Sequence, residues 1–188
     1  RKPLTLMLQG EFRKQPLAAV LSGGQLGNLL TLTSPWPFTL ELQGGDTHLQ
    51  ANGNIEKHEN GLTLSTAVKL AGHNIEIFGS LLNFRFPETD HYTFSADRHA
   101  GRETIRLHEM DMDVSMPGLR QHIQVAEGRL TLSRQVPLSA RFSGHYGELP
   151  FDIEVTGGTM PVMNSTDQPW KITGKVSAGE NRLTVEGM

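Results

Sequence analysis

Residues 61–70 read Gly61-Leu62-Thr63-Leu64-Ser65-Thr66-Ala67-Val68-Lys69-Leu70, and their rhythm decides the fold. Leu62, Leu64, Thr66, Val68 and Leu70 hold one parity over nine residues, while the positions between them are small or polar. Alternation with period two places successive side chains on opposite faces of a strand. Strands with one apolar and one polar face suit antiparallel sheets with one wet side. The same beat runs outward in both directions. Upstream it is carried by Leu4, Leu6 and Leu8, and by Phe38, Leu40 and Leu42. Downstream it is carried by Leu130 and Leu132, by Leu138, Ala140 and Phe142, and by Phe151, Ile153 and Val155. Ile172 and Val176, then Leu183 and Val185, complete it. Turn-forming clusters separate the runs, as at Gly44-Gly45-Asp46, Asn52-Gly53-Asn54 and 178–181. Roughly eleven strands follow from this count. Helical rhythm is confined to two short stretches, 25–30 and 77–82, each long enough for a turn or two that needs packing to form. One strand changes phase: Ile105 and Leu107 are odd, whereas Met110, Met112, Val114 and Met116 are even. A one-residue slip predicts a β-bulge near His108-Glu109.

Composition narrows the function classes. The net charge is −3 and no run of about five or more basic residues occurs, which argues against nucleic acid as a partner. Cysteine is absent, so there is neither a disulfide frame nor thiol chemistry. No stretch approaches the eighteen or so apolar residues of a membrane-crossing helix.

The chain also repeats itself. A shift of 134 carries Pro3-Leu4 onto Pro137-Leu138, Gly10 onto Gly144, Phe12 onto Tyr146 and Pro16-Leu17 onto Pro150-Phe151. It carries Gly23-Gly24 onto Gly157-Gly158 and Gly45 onto Gly179. It also superposes Pro35-Trp36 on Pro169-Trp170, which hold both tryptophans of the chain. A constant, gapless offset over about fifty residues marks an internal repeat. The expected organisation is a first β-module over 1–134 and the start of a second over 135–188. Because the second copy stops where the first continues, a longer parent array is expected.

These residues resemble the AsmA-like family of bacterial envelope proteins. The likeness is carried by Leu8-Gln9-Gly10, Gln15-Pro16-Leu17, Leu21-Ser22-Gly23-Gly24, Leu26-Gly27-Asn28-Leu29-Leu30, Pro35-Trp36-Pro37 and Gly45-Asp46-Thr47. The stretch from Gly61-Leu62-Thr63-Leu64 through Leu81-Leu82 to Tyr92-Thr93-Phe94-Ser95-Ala96 is similar to the family's continuing repeat. The second copy departs, with Met160-Pro161-Val162-Met163 in place of the Leu-rich turn and Gly179-Glu180-Asn181 in place of Gly-Asp-Thr. The resemblance implies an all-β fold: an elongated, curved, mainly antiparallel sheet, groove- or taco-like, with one or two short helical turns. It implies a periplasmic segment of an inner-membrane-anchored protein, with the anchor outside this chain. It further implies phospholipid or another lipid as the partner, carried between inner and outer membranes, and an association with outer-membrane assembly proteins. A non-lipid scaffold for outer-membrane protein or lipopolysaccharide assembly is the alternative. The alternation itself fits an open groove and a closed sandwich equally.

If the apolar parity lines a groove, the lining comprises Leu4, Leu6, Leu8, Phe38, Leu40, Leu42, Leu62, Leu64, Phe94, Met110, Met112, Val114, Leu130, Leu132, Phe142, Ile153, Val155, Ile172 and Val176. In such a groove Met112 and Val114 are apolar yet reachable; in a sandwich they are fully buried. Catalytic and metal-binding residues are expected to be none, and no cofactor is implied. Asp90-His91 has no nucleophile elbow, since Gly-x-Ser-x-Gly does not occur. His108 beside Glu109, Asp111 and Asp113 is the best metal candidate, but carboxylates alternating on a strand are poor calcium geometry and read as a solvated face. Gly23-Gly24 and Gly157-Gly158 lack the Lys-Ser/Thr of a phosphate loop. Trp36 and Trp170, at equivalent repeat positions, read as structural anchors. An enzyme or carbohydrate-binding module ranks last.

Overall fold

The computed structural model describes residues 2–12, 15–59, 61–73, 88–101, 104–159 and 171–187. They form twelve strands and one short helix: β1 Pro3–Phe12, β2 Gln15–Gln25, α1 Leu26–Thr31, β3 Trp36–Gly44, β4 Thr47–His58, β5 Gly61–Gly72, β6 His91–Ala100, β7 Thr104–Ser115, β8 Ile123–Ser133, β9 Ser139–Tyr146, β10 Leu149–Gly157, β11 Ile172–Ala178 and β12 Asn181–Gly187. All twelve belong to one sheet in sequence order, each antiparallel to the next, and β1 and β12 are its free edges. The fold is therefore an open antiparallel meander. A closed sandwich is excluded, because among the described residues no second sheet lies on the first. The expected turn at 25–30 is α1, which ends in Leu32 at φ 47 with its N–H donating to Asn28 O at 2.7 Å. The stretches 77–82 and 160–163, and Trp170, lie outside the described residues.

Register shows what the alternation builds. One row crosses every strand: Leu8, Ala19, Leu42, Leu49, Leu70, Phe94, Met112, Val125, Gly144, Phe151, Ala178 and Asn181. Eleven of its twelve members are apolar or glycine. The row beside it, on the opposite face, reads Gln9, Ala18, Gln43, His48, Ala71, Thr93, Asp113, Gln124 and His145. One face is thus oily and the other wet across the whole sheet.

The phase slip in β7 is a bulge. Ser95 faces Asp111 but Asp97 faces His108, so β7 carries one extra residue, and Glu109 there has φ 50. A second bulge lies level with it in β8, where Val125 faces Gly144 but Glu127 faces Ser143. Together they let Ile105 and Leu107, odd in parity, share a face with Met112 and Val114, even in parity.

The offset of 134 recurs in three dimensions. Leu6 pairs with Leu21, Leu21 with Leu40 and Leu40 with Ala51. The same steps later join Ala140 to Val155, Val155 to Gly174 and Gly174 to Val185. Gly45 (φ 58) donates its N–H to Pro16 O, and Gly179 (φ 57) donates to Pro150 O. Both turns need a backbone conformation that glycine reaches without a Cβ penalty. β8 and β9 pair across residue 134, so the repeat units share one continuous sheet.

The sheet bends toward its apolar face. An added Cβ on Gly53 would lie 2.1 Å from Ser65 O, and one on Gly144 would lie 1.9 Å from Gln124 O. Both glycines belong to apolar rows, so those Cβ atoms would point to that face. Collision with the neighbouring strand's backbone means that strand is raised toward it. The apolar face is therefore the concave one.

Candidate functional site

Two aromatic clamps hold the concave face. Trp36 is 2 % exposed and lies across Gly23 of the neighbouring strand, where an added Cβ would come within 2.1 Å of Cη2. Its Nε1–H donates to Gln25 O at 3.1 Å, and its ring stacks on Phe38 with centroids 6.4 Å apart. Tyr92 is 1 % exposed, sits over Gly72, and donates its hydroxyl proton to Thr47 Oγ1 at 2.8 Å. Burial, and to a lesser degree the nearby Asp46 carboxylate, push the Tyr92 hydroxyl above its usual pKa, against a lowering by the Thr47 bond. In both clamps a glycine on one strand gives a flat seat to an aromatic on another.

All nineteen residues expected to line a groove occupy this one face. β1 contributes Leu4, Leu6 and Leu8; β3 contributes Phe38, Leu40 and Leu42; β5 contributes Leu62 and Leu64. Phe94, Met112 and Val114 follow on β6 and β7, and Met110 sits against Gly128 beside Phe142. Leu130 and Leu132 on β8, Ile153 and Val155 on β10, and Ile172 and Val176 on β11 extend it. Leu49, Leu70, Val125 and Phe151 complete the same rows; Leu70 and Phe151 stand at apolar parity in the sequence but outside the expected lining, and following that parity through the register adds all four.

The face is apolar but reachable. Its fully buried apolar members among the described residues are Trp36, Ala51, Tyr92, Ala96, Val125, Leu138 and Ala140. Met112, Val114, Phe94, Leu40 and Leu42 are half-buried. Toward the two ends of the sheet Leu6, Leu8, Leu183 and Val185 are at least half exposed. Contiguous exposed apolar surface beyond a few hundred Å² marks a binding surface on a soluble protein.

The acidic row does not assemble a metal site. Among the described residues no group of three or more potential ligands converges. Asp113 instead accepts from Gln124 at 3.2 Å and lies 3.1 Å from His122 Nδ1. No described helix is long and apolar enough to cross a membrane. No family model matches the chain, and no curated protein or solved structure shows significant similarity to it.

Proposed function

We propose that the concave face binds or conducts lipid acyl chains, and that the chain is a non-enzymatic, periplasmic segment of an AsmA-like envelope protein. The observation that carries this reading is the largely apolar face that runs over all twelve strands, with no second sheet on it among the described residues. Each methylene held in water costs about 0.8 kcal/mol, so a sixteen-carbon chain represents on the order of 12 kcal/mol. A one-layer sheet with its oily side inward offsets that cost while keeping a polar side in solvent. Eleven strand spacings at about 4.8 Å give a trough of roughly 53 Å, longer than one extended acyl chain. Met110 and Met112 add unbranched, polarisable side chains that adapt to varied ligands. Phospholipid in passage between the inner and outer membranes is the cargo this reading favours. Mass spectrometry of lipids that co-purify with the chain tests it: bound phospholipid is expected, and absence of lipid across several detergents overturns it.

The two free edges, β1 and β12, favour a second reading. Unpaired backbone on an edge strand is a template for another protein's strand, as a scaffold for outer-membrane assembly requires. Photo-crosslinking from β12 in cells separates the two, because a scaffold captures a protein there.

A further inference from the structure

A second row crosses all twelve strands on the concave face: Leu4, Gly23, Phe38, Gly53, Thr66, Arg98, Leu107, Leu130, Ala140, Val155, Gly174 and Val185. Two of its members are polar, Thr66 and Arg98, and they are direct cross-strand partners. Thr66 is 7 % exposed and its Oγ1 is buried without a hydrogen-bond partner. Arg98 has no ion pair or side-chain hydrogen bond among the described residues, and it is half-buried. A buried unpaired hydroxyl costs about 1–3 kcal/mol, and the half-buried guanidinium beside it has donors free for a ligand. Both groups are explained if an oxygen-rich anion completes them.

The position of Arg98 says which part of a lipid that is. It stands two residues from the end of β6 at Ala100, or about 7 Å from the rim at strand spacing. Its aliphatic stem therefore covers the oily floor while the guanidinium reaches toward water. The same rim carries Lys57, Arg134 and Lys171 in or beside its connections, whereas the hairpin turns of the opposite rim carry Asp46, Glu148 and Glu180. Glu56, Glu59 and Arg120 run against this trend, as do Arg13 and Lys14 between β1 and β2 in the sequence. The charges of the two rims are thus mixed, and the orientation of a negatively charged headgroup is set by Arg98 itself.

Resting on the acyl-chain reading, we infer that Arg98 and Thr66 form a headgroup subsite that takes the phosphate of a phospholipid whose chains lie across the floor. The guanidinium fork donates two parallel N–H bonds to phosphate oxygens, a geometry an ammonium does not reproduce. Rotation about χ1 of Thr66 lets its hydroxyl donate to the same group. Lipids therefore enter with a fixed orientation, headgroup to the Arg98 rim.

The test uses the full chain in detergent, with displacement of a fluorescent fatty-acyl probe by dioleoyl phosphatidylglycerol, by dioleoylglycerol and by oleate. The chain is expected to prefer phosphatidylglycerol over dioleoylglycerol by about tenfold, the factor one charge-assisted hydrogen bond supplies. Arg98→Gln should abolish that preference while leaving dioleoylglycerol binding unchanged. Arg98→Lys should keep part of it, and Thr66→Val should reduce it several-fold without lowering the melting temperature. A preference that survives Arg98→Gln overturns the subsite while leaving the acyl-chain reading intact. A defect confined to oleate shows that the anion is a carboxylate and overturns the phosphate assignment. Failure of all three lipids to displace the probe overturns the acyl-chain reading itself, and the subsite with it.

Discussion

Gly23→Ala tests how the concave face is held. The added methyl would sit 2.1, 2.3 and 2.9 Å from Cη2, Cζ2 and Cζ3 of Trp36. Carbon atoms pack at about 3.5–4.0 Å, so the indole must retreat by about 1.5 Å. It cannot retreat freely, because Nε1 is bonded to Gln25 O at 3.1 Å and the ring stacks on Phe38. Overpacking of this kind costs about 1–3 kcal/mol, and losing the indole bond adds about 1 kcal/mol. Replacing a strand glycine by alanine returns about 0.5–1 kcal/mol through the unfolded chain. The net expectation is a loss of about 2 kcal/mol, which in a chain of this size lowers the melting temperature by about 4–8 °C. Gly10→Ala is the control, since its added Cβ meets nothing within 4 Å, and it should be neutral or slightly stabilising. Thermal melts followed by circular dichroism read both. Tryptophan emission in a Trp170→Phe background should shift to the red in the Gly23 variant alone. Equal melting temperatures for the two variants would refute the view that a flat glycine seat fixes Trp36.

Three further outcomes are expected. Met112→Asp places a carboxylate on a half-buried position beside Phe94 and Val125; the fold should survive with a modest drop in melting temperature while acyl-probe binding falls, and cooperative collapse would contradict an open face. Tyr92 has its pKa raised above 10.0, mainly by burial, so its folded form favours the proton. The stability it contributes is complete below about pH 10 and is lost as pH rises through the folded-state pKa. Tyr92→Phe should remove that alkaline loss at a cost of about 1 kcal/mol at neutral pH, both read from melts across pH. Gly45→Ala and Gly179→Ala force a Cβ onto residues with φ 58 and 57; each should cost about 1–2 kcal/mol, and by the repeat the two losses, from urea titrations, should be similar.

Much of this was written in the sequence because alternation is a local property. Parity alone placed Leu62, Leu64 and Leu70 on one side, and the slip from Leu107 to Met110 located the bulge that Glu109 occupies at φ 50. The companion bulge in β8 left a similar trace, odd Ile123 and Val125 followed by even Leu130 and Leu132. It was not singled out because Ala126 and Glu127 between them are neutral to either face. The single open layer was not legible, since a sandwich core alternates identically; it emerges only from strand order. Nor were the clamps, because Tyr92 and Thr47 meet across 45 residues of separation. Thr66 and Arg98 fell at apolar parity and looked like noise in the pattern until the register set them side by side.

The central claim is that lipid chains lie on one face of this sheet and not on the other. The chain has no cysteine, so single labels can be placed at will. An environment-sensitive fluorophore attached through Leu42→Cys or Met112→Cys reports the concave face, and through Glu41→Cys or Asp111→Cys the polar face. Phospholipid brominated along its acyl chains is the quencher. Strong quenching from the first pair with little from the second is the predicted result; equal quenching of both pairs, or none from either, would contradict it.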